Sequence, residues 1–102
     1  MTKPITIQRV SGAMRKARIE ASTSSSTRIR GWRDYTSGVV VCRGADENII
    51  LVYWNHANHY TKPSELYWAN RAKRISAALA DAGIKHSPVE GRNAYFTVEV
   101  NQ

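Results

Sequence analysis

Apolar residues in the second half of the chain recur with the period of a helix. Trp68, Ala72, Ile75, Leu79 and Ala82 stand at steps of four, three, four and three, flanked by Tyr67 and Ala78, while Asn70, Lys73, Arg74 and Asp81 fall on the other side. This stripe predicts a helix from Ser64 to Ala82, closed by Gly83 in a left-handed conformation with Ile84 set against Leu79. A shorter stripe near the start, Val10, Ala13, Met14 and Ala17 with Ile7 at its edge, predicts a first helix over Pro4 to Ala17. Arg9, Arg15, Lys16 and Arg18 point away from it. The β-branched run Ile5-Thr6-Ile7 pulls the other way, toward a short strand.

Between the helices the period changes from helical to alternating. Ser22 to Thr27 holds no apolar residue and reads as a flexible loop. Thr27 to Tyr35 alternates as an edge strand does, and Asp34-Tyr35-Thr36-Ser37-Gly38 supplies a turn or bulge. Val39 to Arg43 and Ile49 to Asn55 are rich in β-branched and aromatic residues around the loop Gly44-Ala45-Asp46-Glu47-Asn48, which predicts a hairpin. His56 to Lys62 reads as a loop, as does His86 to Asn93. Ala94 to Val100 closes the chain as a strand, with Ala94, Phe96, Val98 and Val100 toward the core and Tyr95, Thr97 and Glu99 away from it. The order is α-β-β-β-α-β. It predicts one α+β domain over residues 1–102: a two-layer sandwich with an antiparallel sheet of three to four strands, two helices on one face and the other face open.

The chain also resembles itself. At an offset of 65, Arg9 to Ser22 lies against Arg74 to Ser87, with Met14 opposite Leu79, Ala17 opposite Ala82 and Ile19 opposite Ile84. Both segments are helix ends. Each helix also follows the same tripeptide, Thr2-Lys3-Pro4 and Thr61-Lys62-Pro63, which suits an N-cap and a first turn.

Charge sharpens this picture because it is lopsided. Residues 1–43 hold nine basic residues against Glu20 and Asp34, and residues 44–102 hold six of each sign, so the whole excess of +7 sits in the first part. Such a distribution makes a directional field that attracts polyanions or acidic protein surfaces. No apolar run approaches the ~20 residues of a membrane span, and no leader segment is recognisable, so a cytoplasmic protein without a membrane partner is expected. The single cysteine, Cys42, follows three valines and reads as a small buried apolar side chain.

Catalytic motifs are missing from the sequence, and its eight acidic residues are scattered, so a protein that is not an enzyme is expected, with no cofactor. His56 and His59 stand three apart without a cysteine or carboxylate nearby, and no metal is assigned to them. Binding has better support. Arg15, Lys16 and Arg18 close the first helix, and Arg28, Arg30, Trp32 and Arg33 follow on or beside a strand. Guanidinium groups pair with phosphates and an indole offers a base a stacking platform, so these seven residues are the candidate nucleic-acid contacts. A second aromatic group, Tyr53, Trp54, His56, His59, Tyr60, Tyr67 and Trp68, surrounds the entry to the second helix. With an open sheet face it supports the alternative, a host-protein-binding inhibitor or adaptor. Self-association as a homodimer stays open.

The segments Arg30-Gly31-Trp32-Arg33-Asp34-Tyr35-Thr36-Ser37-Gly38-Val39-Val40-Val41 and Ile75-Ser76-Ala77-Ala78-Leu79-Ala80-Asp81-Ala82-Gly83-Ile84 resemble small accessory proteins encoded by bacteriophages of actinobacteria. That resemblance implies a short protein made in a bacterial host's cytoplasm, where it interferes with host machinery. It transfers no site residue. The order of elements is also similar to that of double-stranded RNA-binding domains with a strand added, but Thr61-Lys62-Pro63-Ser64-Glu65 lacks the lysine cluster those carry at the second helix.

Overall fold

The computed structural model describes residues 4–22, 24–27, 32–35, 37–56 and 62–102. In chain order the elements are α1 (Ile7–Lys16), β1 (Ser24–Thr27), β2 (Trp32–Tyr35), β3 (Gly38–Arg43), β4 (Ile49–Asn55), α2 (Glu65–Asp81), β5 (Ser87–Pro88) and β6 (Tyr95–Glu99). Strands β3, β4, β6 and β5, in that order, form one antiparallel sheet, and β1 pairs with β2 as a separate ribbon. The fold is α+β, with both helices packed on one face of the four-stranded sheet.

The sheet's pleat decides what that face buries. Ile50, Val52 and Trp54 of β4 alternate inward, and the register sets Val52 opposite Val41 on one side and Phe96 on the other. Val10 and Met14 of α1, and Ile75, Ala78 and Leu79 of α2, close over them. Val10, Val52, Ile75, Leu79 and Val98 are sealed from solvent. The opposite face carries Val40, Cys42, Leu51, Tyr53, Tyr95 and Thr97, all half-buried. Cys42 therefore lies on the outward layer and is not the core residue its neighbours suggested. Among the described residues no helix is long and apolar enough to cross a membrane.

Both helix starts depart from expectation. Thr6, extended at φ −112°, caps α1 by accepting the Arg9 N–H, and Ser64 caps α2 by accepting the Tyr67 N–H. The Thr-Lys-Pro tripeptides are therefore not the caps, because a hydroxyl nearer each helix takes that role; Thr2, Lys3 and Thr61 lie outside the described residues. Ile5 is buried, donating its N–H to the carbonyl of Val100 just past β6, so the β-branched run divides, with Ile5 outside the helix and Ile7 in it. Ala17 does not face the core. It is exposed and lines the groove between the helices with Ala13, Ala78 and Ala82, because the chain turns off the helix there.

The polar run read as a loop holds β1, which pairs Ser24 with Tyr35 and Thr27 with Trp32. Serine and threonine supply the same backbone ladder as any residue, and hydropathy alone does not report it. The edge strand expected over Thr27 to Tyr35 is thereby replaced by the two legs of a hairpin. The ribbon is rooted where the chain crosses itself. Ser22 donates its N–H to the Val39 carbonyl, Val39 donates to the Glu20 carbonyl, and Asn55 reaches Ser22 Oγ at 3.1 Å. At this crossing a Cβ on Gly38 would collide with the backbone of Ala21 and Ser22.

Candidate nucleic-acid interface

The two helices end in the same hydrogen-bonded closure. In α2, Ile84 donates to the Leu79 carbonyl at 2.9 Å and Gly83, at φ 70°, donates to the Ala80 carbonyl at 3.0 Å. In α1, Ile19 donates to the Met14 carbonyl and Arg18, at φ 59°, donates to the Arg15 carbonyl, both at 3.0 Å. These are paired Schellman closures, and they account for the matches of Met14 with Leu79 and Ile19 with Ile84 in the internal repeat. The difference lies at the left-handed residue, glycine in one and arginine in the other. For a side chain with a Cβ that conformation costs about 1–2 kcal/mol.

Three of the residues singled out from the sequence meet at this strained end. Arg15, Lys16 and Arg18 are all exposed on the last turn of α1 and its closure, and no carboxylate pairs with them among the described residues. Arg15 and Lys16 complement the negative end of the helix dipole. The others are less tightly placed. Arg28 and Arg30 lie outside the described residues, in the segment joining the two legs of the ribbon. The backbone of Trp32 is paired with Thr27 and that of Arg33 with Ser26, so both stand on the second leg, and their side chains lie outside the description. Ala57, Asn58, His59 and Tyr60 are likewise outside it.

Two cations on α2 were not singled out as contacts, and both belong to this region. Arg74 donates from Nη2 to the Arg18 carbonyl at 3.4 Å, tying α2 to the end of α1. Arg71, one turn earlier, lies over two rings, with its Cζ 4.6 Å from the Trp54 centroid and 4.8 Å from the Tyr67 centroid. Tyr67 is fixed in turn. Its hydroxyl accepts the Trp54 indole N–H at 2.7 Å and lies 3.2 Å from His56 Nδ1, and the His56 and Trp68 rings pack edge-on against it. Tyr67 and Arg71 stand four apart, so that contact was readable from helical spacing. Trp54, on a distant strand, was not.

Elsewhere two further arrangements stand out. Tyr53 and Tyr95, paired across β4 and β6 on the open face, stack with centroids 4.6 Å apart and planes 5° apart, and the Arg92 guanidinium sits 5.4 Å from the Tyr95 centroid. Burial pushes the Tyr53 phenol above its ordinary value of 10.0, and the nearby Cys42 and Tyr95 add to the push. His86 contacts Ser76 Oγ at 2.6 Å and the Ile84 carbonyl at 3.0 Å. The tautomer that donates from Nδ1 to that carbonyl leaves Nε2 to accept the serine proton, which braces α2 against the approach to β5.

Comparison with known proteins returns no match: no family model, no curated protein and no solved structure is similar to this chain. The functional reading therefore rests on these contacts.

Proposed function

We propose that this chain binds nucleic acid, with the phosphate backbone lying against the end of α1 and the arginine-bearing ribbon alongside it. The observation that carries this reading is Arg18. It occupies a left-handed position that its counterpart fills with glycine, and its side chain stays exposed beside Arg15 and Lys16. Backbone strain of this kind clusters at functional sites, and here it coincides with an exposed cation. The ribbon adds a second element, because a two-stranded ribbon fits the major groove of B-form DNA, and this one bears Trp32 and Arg33 on its second leg. Such a protein acts by occupancy and needs no cofactor.

The test is a duplex titration across a salt series. Affinity falls linearly with log salt, with a slope of about −0.9 per phosphate neutralised. Replacing Arg15, Lys16 and Arg18 together by alanine reduces that slope by roughly 2 to 3 and leaves the circular dichroism spectrum intact. Duplex affinity that ignores both salt and the triple substitution refutes the reading. It would favour the second one, a protein partner laid over the open sheet face, for which the stacked Tyr53 and Tyr95 with Leu51 and Val40 form an aromatic and apolar centre.

A further inference from the structure

Arg71 stands out because it is held without being paired. Its Nε is closed off from solvent and meets no acceptor, and no carboxylate reaches the guanidinium among the described residues. Residues 57–61, between β4 and the approach to α2, contain no aspartate or glutamate that could supply one. A partly buried cation is ordinarily matched by an anion; here the guanidinium rests against two aromatic rings in a half-buried side chain and no carboxylate reaches it among the described residues.

We infer that Arg71 is an anchor for a phosphate group. The guanidinium is the side chain suited to forked contact with a phosphate, and its contacts with Trp54 and Tyr67 already restrict it, so less rotamer freedom is lost on binding. The surroundings select a polyanion. Arg74 stands one turn along α2 and touches the Arg18 carbonyl, so Arg71 continues the cationic line from the end of α1. At the other end, Trp54 adjoins Asn55, which is bonded to Ser22 at the root of the ribbon. Arg71 therefore lies between the two elements assigned to nucleic-acid contact. The inference rests on that reading for the source of the phosphate and not for the existence of the site.

The experiment follows the side-chain Nε–H resonance of Arg71 and the indole N–H of Trp54 by NMR in the intact protein. Inorganic phosphate is added first, against a chloride control of equal ionic strength, and then a short DNA duplex. Both resonances are expected to shift saturably with phosphate and not with chloride. Arg71→Lys keeps the charge but loses the fork and the flat stack, and is expected to weaken phosphate binding roughly tenfold while the salt slope for duplex stays the same. A shift with phosphate but no affinity for duplex upholds the anchor, assigns it to a small phosphorylated ligand and removes the nucleic-acid reading. A duplex that binds through Arg15 and Lys16 while neither phosphate nor duplex moves the Arg71 resonance overturns the anchor and keeps that reading. The wild-type titration decides even if the lysine variant folds poorly.

Discussion

The ends of the two helices share one geometry and differ in strain and charge. At α2 the closure is made of residues that ask for nothing further: Leu79 and Ile84 are buried, Gly83 accepts its left-handed turn without penalty, and a cation from the other helix, Arg9, donates from Nη2 to the Ala82 carbonyl. At α1 the buried pair is Met14 and Ile19, the same bonds form, and the turn is taken by an arginine with two more cations beside it. One end closes on glycine without strain. The other carries a local strain and leaves three cations exposed to solvent.

The largest effect concerns what the ends share. Leu79→Ala and Met14→Ala each remove the buried side chain beneath a closure and are each expected to cost about 2–5 kcal/mol in urea unfolding. A loss at Met14 below about 1 kcal/mol would break the equivalence, since that closure would then rest on its backbone bonds alone. Next comes charge. Arg15→Ala with Lys16→Ala is expected to weaken duplex binding roughly tenfold to thirtyfold near 0.1 M salt and to lower the salt slope by about 2. Lys85→Ala, an exposed cation just past the other end, should leave that slope unchanged.

Exchanging the left-handed residues tests the contrast directly. Nothing lies within 4 Å of a Cβ built on Gly83, so Gly83→Arg meets conformational strain and no collision, and it should cost about 1–2 kcal/mol. Arg18→Gly should gain about 1 kcal/mol while giving up one unit of salt slope. A variant at 18 that loses stability would mean the arginine is structural. The smallest effect is at Arg9. Its replacement by alanine withdraws the cation from the end of α2 and should cost about 0.3–1 kcal/mol, with duplex binding little changed.

Much of this was legible because the apolar periods are strong. The stripes through Ile75 and Leu79 and through Val10 and Met14, the hairpin around Gly44 to Asn48, and the alternation of Phe96 and Val98 all follow from burial on one side, which hydropathy records directly. The repeat at offset 65 marked the matched closures, because residues that close a helix are set by local backbone geometry. What escaped was decided without apolar burial. Strand β1 consists of serine and threonine and is defined by pairing alone. The two-residue strand β5 exists only because β6 lies beside it. Arg71 acquires its role from Trp54, on β4, and no spacing along the chain announces a contact between those two elements.

Gly38 carries a consequence for how the molecule can vary. Because two passes of the main chain touch there with no side chain between them, the stretch from Thr23 to Ser37 departs from and returns to a single clasp. The four-stranded sheet and the two helices are drawn from residues outside that stretch. That clasp admits no Cβ, since one built on Gly38 collides with the Ser22 nitrogen and the Ala21 carbonyl carbon. Any side chain at 38 would pry that clasp open and break the exchange of hydrogen bonds between Ser22, Val39 and Glu20.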